Sequence, residues 1–481
     1  MPSRTARAQY RPGQLLDIEA GPLASDGSTR TPLDGGLELR LNDAIPGEQH
    51  RVRIVHRSRG GPVIWGESIS LLGGPESGNL RRKPPCPIHR KCGACGLQHV
   101  RDNAQLRLKV ESAASYLSAE LRAALDPPSS WPEPGPFFGY RHKAIFLPQT
   151  TKGKLKLGGF RRRSHEVIDL PDCSVLTPAL VQAHHQLSAM LTALARDSSI
   201  SFTPPGAAQS GASTAGLRAL VLRANRAGEV LLCAVVTQPT AGQALQAMLT
   251  SLVSCAGPIV GCSLQVFAET GDRVAGPESP KHIAGKGQLM ETVSGMEAQL
   301  DALSFFQVNP HGLEAVIEHL LGWTPAHPEQ PTRLLELYCG GGVLGLAMAT
   351  ARGGSLEVYG VDNDSRAIDR ARHNAARNKL KATYRVGSSS ELVGPMVQEY
   401  GPFDLTLVDP PRRGLRPQAL KALLLSAPRR IMYVSCYGPS LVRDATQITA
   451  SGYRIRSLSP LDMLPQTPHL EWTCIFDRQL S

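Results

Sequence analysis

Near the start of the chain, apolar and polar residues alternate in short runs. Gln14-Leu15-Leu16-Asp17-Ile18 and Gln49-His50-Arg51-Val52-Arg53-Ile54-Val55 are of this kind, and turns rich in Gly, Pro and Asp separate them. Period-two runs bounded by such turns predict strands. About five of them over residues 10–72 fit an OB-like barrel, although an SH3-like barrel gives the same pattern. A Gly/Pro/basic linker follows at 73–91. From Gln98 to Leu125 the apolar positions Leu106, Val110, Ala114 and Leu117 recur at helical spacing, and prolines from 127 to 136 end the run. Between 137 and 310 strands are expected at Tyr140–Leu147, Leu217–Leu222, Val230–Val236, Pro258–Val266 and Phe305–Val308. Pro204–Gly216 reads as a low-complexity loop.

From His311 onward the period itself alternates. Strands are expected at Leu334–Tyr338, Glu357–Val361, Asp404–Val408 and Arg430–Val434, with helices at Val343–Ala351, Ser365–Asn378 and Pro417–Leu425. That order predicts a doubly wound parallel sheet. Two late apolar runs, Arg454–Leu458 and Trp472–Phe476, could close its edge as an antiparallel pair. The expected fold class is therefore α/β. A Rossmann-like domain at 311–481 follows an OB-like barrel at 1–80 and a central α/β domain at 81–310.

Charge sharpens this division. The net charge is +11, and residues 1–173 carry 26 Lys/Arg against 17 Asp/Glu, leaving only +2 for the rest. A basic front on a nearly neutral back suggests a polyanion-binding module joined to an enzyme. Arg51, Arg53, Arg57 and Arg59 fall on one face of a continuous strand, and with Arg161-Arg162-Arg163 are candidate phosphate contacts. Met1–Gly13 lacks an apolar signal core, and no stretch approaches the 18 or so apolar residues of a membrane span. A cytoplasmic protein is expected, so its ten cysteines are not expected to pair as disulfides. Four stand apart: Cys86, Cys92 and Cys95 are spaced C-x5-C-x2-C, and Cys173 follows after 77 intervening residues.

The candidate chemistry lies at strand ends of the last domain. Gly340, Gly341, Gly342 and Gly345 follow a strand and open a helix, where glycine lets a ligand approach the backbone. Glu336 ends the first strand, placed to hold an amino group through the loop. Asp362 ends the second, where a carboxylate bonds ribose hydroxyls. This acidic pair fits S-adenosylmethionine better than a dinucleotide. Asp409-Pro410-Pro411 leaves a carboxylate at the carboxyl edge of the sheet, and Arg412 stands where enzymes that methylate exocyclic amines place an aromatic residue. Cys436 follows another strand just before a helix N-terminus, a setting that favours thiolate. A thiolate adding to C6 of a pyrimidine makes C5 nucleophilic, and a base must then remove the C5 proton. Glu471, in His469-Leu470-Glu471, is the candidate base.

These pieces resemble the RNA uracil-C5 methyltransferases, and among them the iron–sulfur-containing bacterial 23S rRNA enzymes. The resemblance runs through Cys86-Pro87, Cys92-Gly93-Ala94-Cys95-Gly96-Leu97-Gln98-His99, Phe305-Phe306-Gln307-Val308-Asn309, Asp409-Pro410-Pro411-Arg412, Val434-Ser435-Cys436 and His469-Leu470-Glu471. It implies that residues 10–72 are a TRAM domain and that Gln307, Tyr338, Asp362 and Asp409 contact S-adenosylmethionine. It also implies that Cys436 is the nucleophile, Glu471 the proton acceptor, and Cys86, Cys92, Cys95 and Cys173 the ligands of a 4Fe-4S cluster. The family usually continues its cysteine motif with Asn-Pro, where this chain has Tyr437-Gly438-Pro439, and Glu336 replaces its usual Asp. The implied product is 5-methyluridine in RNA, in 23S rRNA or alternatively the tRNA T-loop, made by an enzyme without an obligate protein partner. Two other readings compete. A radical enzyme would show C-x3-C-x2-C and leave one iron open. A non-enzymatic RNA-binding protein could hold zinc on the same four cysteines.

Overall fold

The computed structural model describes residues 10–58, 61–74, 80–133, 135–196, 200–206, 216–269, 271–325 and 331–479. Arg59 and most of the Pro204–Gly216 loop lie outside them. Five strands, β1 (Leu15–Glu19), β2 (Thr29–Leu33), β3 (Leu37–Leu41), β4 (Gln49–Arg57) and β5 (Val63–Gly73), form one curled sheet in the order β1-β4-β5-β3-β2. Their inward residues, among them Leu37, Leu39, Leu41, Val52, Ile54 and Ile64, make its core. The arginines of β4 behave differently from expectation. Arg51 and Arg53 face solvent but pair with Asp17 and Glu67 at 2.8 and 2.9 Å. An irregularity between Ile54 and His56 breaks the alternation before Arg57.

The helix expected over Gln98–Leu125 is two helices, Asp102–Ala113 and Ala119–Ala123. Ser118 caps the second by accepting from the Leu121 N–H at 3.3 Å, so the chain turns between them. The curled sheet docks on the first. The Leu23 N–H donates to Ser112 Oγ at 3.0 Å, Arg30 reaches Ser115 Oγ at 2.6 Å, and Leu23, Ile45, Leu97, Val100, Ala104 and Leu108 share an apolar core.

The central region is a sheet of β6 (Lys143–Thr151), β7 (Lys154–Phe160), β8 (Val167–Asp169), β9 (Ser201–Phe202), β10 (Gly216–Ala224), β11 (Val230–Val236), β12 (Ile259–Val266) and β13 (Lys281–Gly285). β10 and β11 are buried along their whole length, as their unbroken apolar runs require. Helices Pro178–Arg196 and Pro239–Ser254 supply apolar residues to the core on one face. The strand expected at Phe305–Val308 is irregular chain instead. The carbonyls around it are taken by cations rather than by a ladder: Lys143 Nζ bonds those of Leu303 and Ser304, and Arg223 those of Asp301 and Ser304.

A hairpin, β14 (Leu289–Val293) and β15 (Met296–Leu300), leads into the last sheet and joins its core through Val293, Met296, Ala298 and Leu300. That sheet contains β16 (Thr332–Leu337), β17 (Leu356–Asp362), β18 (Ala382–Val386), β19 (Leu405–Val408), β20 (Arg430–Ser435), β21 (Tyr453–Leu461) and β22 (Glu471–Arg478), in the order β18-β17-β16-β19-β20-β22-β21. The first five are parallel, and β22 and β21 close the edge antiparallel. Among the described residues no helix is long and apolar enough to cross a membrane.

Candidate active site

Register decides what meets at the sheet edge. β20 and β22 run antiparallel with Ser435 opposite Trp472, so the next step puts Cys436 beside Glu471. β19 lies parallel on the other side of β20, with Val408 opposite Tyr433, and delivers Asp409 to the same edge. One thiol and two carboxyls thus share a desolvated corner, and each raises the proton affinity of the next. Burial, then Glu471 and Asp409, push the Cys436 thiol up to about 11, with the Arg412 guanidinium working the other way. Burial pushes Asp409 up to about 7. Glu471 is held well above the usual carboxylate range by burial and then by Asp409, and its Oε1 has no hydrogen-bond partner. Glu471 opens a strand but is buried, because Trp472 and Leu470 flank it in the core. One expectation is corrected here. The helix after Cys436, Gly438–Ala450, does start beside the thiol, yet burial and two carboxyls outweigh its N-terminus, so the resting thiol is protonated.

Cys436 opens on a cavity of about 230 Å³. Its walls come from distant parts of the chain: Arg30 and Arg40 of the N-terminal sheet, Lys109 and Tyr116 of the linking segment, Arg412, and Tyr437. Lys109 forms a fully buried ion pair with Asp462 at 2.6 Å, which pins the loop leading to Glu471. Nothing in the sequence marks that pair, whose members are 353 residues apart.

The glycine turn lies farther along the same edge. Gly340 and Gly342 have φ of 53° and 73°, and a side chain at Gly340 would meet nothing within 4 Å, so open space faces the turn. Asp362 braces it: Oδ2 accepts from the Gly340 N–H and Oδ1 from the Asp364 N–H, both at 2.9 Å. Tyr338 enters the turn at φ 61° and lines a cavity of about 800 Å³ with Asn363, Ser388 and Pro411. Glu336 is turned inward behind the turn, where a Cβ on Gly345 would stand 2.5 Å from Oε2, and burial pushes it up to about 8. Gln307 is half-buried, two residues before Asn309, which caps helix Pro310–Gly322 and bonds the Met463 carbonyl at 3.1 Å.

The four separated cysteines converge. Cys95 is buried with Tyr140 and Val175, and burial followed by Cys173, Cys92 and Cys86 pushes its thiol up to about 12. Backbone N–H groups of Ile88 and His89 point at the Cys86 sulfur, and those of Val175 and Leu176 at Cys173. Donors aimed at sulfur suit thiolates held by a metal centre. Among the described residues only Asp43, His89 and His99 bring three ligand atoms within 4.8 Å of one another. Here, however, His89 bonds Asp43 at 2.8 Å, Arg90 lies 3.5 Å from the carboxylate, and Arg162 adds its charge. So much positive charge opposes a cation, and the set acts as a clamp between the N-terminal sheet and the cysteine loop. Arg162 and Arg163 serve the same junction, bonding Asn42 at 2.8 Å and stacking on Trp65. Arg161 pairs with Glu166 at 3.2 Å, so all three arginines have partners within the protein.

The profile of the family described as tRNA (Uracil-5-)-methyltransferase matches residues 296–479. The 23S rRNA (uracil(1939)-C(5))-methyltransferase RlmD of Pseudomonas putida is 30% identical over 99% of this chain and 96% of its own. An uncharacterized RNA methyltransferase of Gloeobacter violaceus is 27% identical over 97% of both. Among solved structures, the Pyrococcus abyssi tRNA (uracil-54, C5)-methyltransferase in complex with S-adenosyl-L-homocysteine superposes with a TM-score of 0.71. It is 23% identical, and the match covers 96% of this chain and 99% of that one, a likeness of fold.

Proposed function

We propose that this chain, which belongs to the family of S-adenosylmethionine-dependent RNA (uracil-C5)-methyltransferases, methylates one uridine of 23S rRNA through a covalent adduct between Cys436 and C6 of the base. The observation that carries the chemistry is the register of β20 on β22, which sets the thiol beside a buried carboxyl. The Cys436 proton passes to solvent through the cavity on which the thiol opens, with help from the Arg412 charge, and sulfur bonds to C6 as the C5–C6 π pair shifts to give the O4 enolate. C5 then takes the methyl group that S-adenosylmethionine supplies. Glu471 removes the C5 proton, the C6–S bond breaks, and the double bond returns. Burial and Asp409 hold the Glu471 carboxyl well above its ordinary range, which makes its carboxylate a stronger base toward the C5 proton.

Gln307, Tyr338, Asp362 and Asp409 would hold S-adenosylmethionine. The open face of the glycine turn and the Asp362 brace support that placement. Cys86, Cys92, Cys95 and Cys173 would hold a structural 4Fe-4S cluster. The C-x5-C-x2-C spacing with a distant fourth cysteine is what supports the cluster reading. The non-enzymatic zinc reading falls with the family. The enzyme is proposed to act in the cytoplasm as a monomer, its N-terminal domain (1–80) and central domain (81–310), whose residues 81–173 carry the basic excess, presenting RNA to the catalytic domain (311–481). The Pseudomonas relative favours rRNA, while the fold likeness to the Pyrococcus enzyme keeps a tRNA T-loop uridine as the second reading. Mapping 5-methyluridine in total RNA of a deletion strain tests both. Loss at one 23S position supports the proposal, loss in tRNA selects the second reading, and no loss refutes both.

A further inference from the structure

Two tyrosines are left exposed in the cavity around the thiol. Tyr437 is 38% exposed and Tyr116 36%, while most of the other large apolar side chains nearby are buried. Neither belongs to the machinery described above. Tyr437 directly follows Cys436, and its backbone is fixed on both sides. Its N–H donates to Ser435 Oγ at 3.3 Å, and its carbonyl accepts from Ser440 Oγ at 2.8 Å and from Ser435 Oγ at 3.2 Å. The ring is backed by a charge, since the Arg412 guanidinium stands 5.5 Å from its centroid. Gly438 completes the arrangement. A Cβ there would stand 2.3 Å from Tyr116 Cε2 and 2.5 Å from its hydroxyl, so only glycine lets the second ring lie against this turn.

A rigid, half-exposed aromatic ring beside a nucleophile, in a cavity of about 230 Å³, suits one small planar ring rather than a large ligand. We propose that Tyr437 is the stacking platform for the target uracil, holding the unstacked base so that its C6 lies over the Cys436 sulfur. The inference rests on the uracil-C5 reading. A base extruded from RNA loses its stacking partners, and an aromatic face returns that stacking where the chemistry occurs. The platform is sequence-tolerant, so it positions the base, and uracil must be selected by other groups.

The test uses the full-length, cluster-loaded enzyme with in vitro transcripts of 23S rRNA and tRNA from the same organism. Tyr437→Phe keeps the ring, Tyr437→Leu keeps apolar bulk without a π-face, and Tyr437→Ala removes both. Stacking on an aromatic is worth about 5- to 100-fold per base. The Leu and Ala variants should therefore lose about that much kcat/KM for RNA and trap 5-fluorouridine RNA correspondingly more slowly. Tyr437→Phe should stay within about twofold, with S-adenosylmethionine affinity and Tm unchanged in all three. Equal activity in Phe, Leu and wild type overturns the proposal. So does an equal loss in Phe and Leu, which would assign the effect to the hydroxyl. If wild-type enzyme methylates neither transcript, the uracil reading itself has failed. An active wild type beside an indifferent Tyr437→Leu refutes the stacking alone.

Discussion

Two groups of thiols sit in this molecule under burial, and their surroundings differ. Around Cys86 and Cys173, backbone N–H groups point at the sulfurs, and the other charges close to Cys95 are mainly those of fellow cysteines. Around Cys436 the neighbours are two carboxyls and one guanidinium. The first setting suits sulfurs that are deprotonated once, by a metal, and kept so. The second keeps its thiol protonated until something arrives to take the proton. Thiolate character is therefore not set by a helix start or by burial alone, but by which charged groups share the space.

The sharpest way to break this contrast is to remove one thiol from each group. Cys436→Ala should lower methyl transfer by at least about 10³-fold, since removing a nucleophile costs more than any other single change at such a site. Iron content, Tm and S-adenosylmethionine affinity should stay unchanged, and the variant should trap no 5-fluorouridine RNA. Cys173→Ala should do the reverse. If the four cysteines hold the proposed cluster, anaerobically purified wild type should contain about four irons per chain and the variant fewer than one, with loss of Tm and only indirect loss of activity. If Cys436→Ala turns over normally, or if wild-type protein holds one zinc and no iron, the contrast collapses on that side.

Glu471→Gln sharpens the same comparison within the active corner. It keeps the shape and removes the basicity. Thiol addition and methyl transfer should proceed, while release slows by about 10²-fold or more, the usual worth of a positioned base. A methyl-labelled covalent adduct should then accumulate on ordinary uridine RNA, and vanish in the Cys436→Ala, Glu471→Gln double variant. Wild-type turnover in Glu471→Gln would hand the proton to another group.

Much of this was legible from the chain, and the boundary has physical reasons. The strand–helix alternation after His311 is a local pattern, so the helix at Val343–Ala351 and the strands beside it could be read directly. The meeting of Cys436 with Glu471 could not be read from periodicity. It depends on β22 inserting between β20 and β21, a pairing choice made by the whole sheet. Phe305–Val308 misleads because its aromatic run looks strand-like, while the adjoining carbonyls are claimed by the side chains of Lys143 and Arg223. Arg162 and Arg163 look like phosphate contacts in a charge count, yet they fasten the N-terminal sheet through Asn42 and Trp65. The wall that this sheet gives the thiol cavity, Arg30 and Arg40, has no signature at all.

The smallest expected effect is on stability, and it concerns the carboxyl that the thiol faces across the sheet. Burial raises Asp409 from its ordinary 3.8 to about 7. The folded protein therefore binds this proton more tightly than the unfolded chain does. Between about pH 4 and 7 the unfolded state has already ionised while the folded state has not, so unfolding becomes easier as pH rises. Above pH 7 the cost of carrying a charge in this corner is fully present, at most about 4 kcal/mol before partial exposure reduces it. Asp409→Asn removes that cost. The variant should lose methyl transfer yet match or exceed wild type in denaturant stability at pH 8, by up to a few kcal/mol, with the difference shrinking toward pH 4. The opposite trend, a deficit that grows with pH, would mean that a cation pairs with the carboxylate. The corner would then already resemble the cysteine loop, with its negative charge held in place before any substrate arrives.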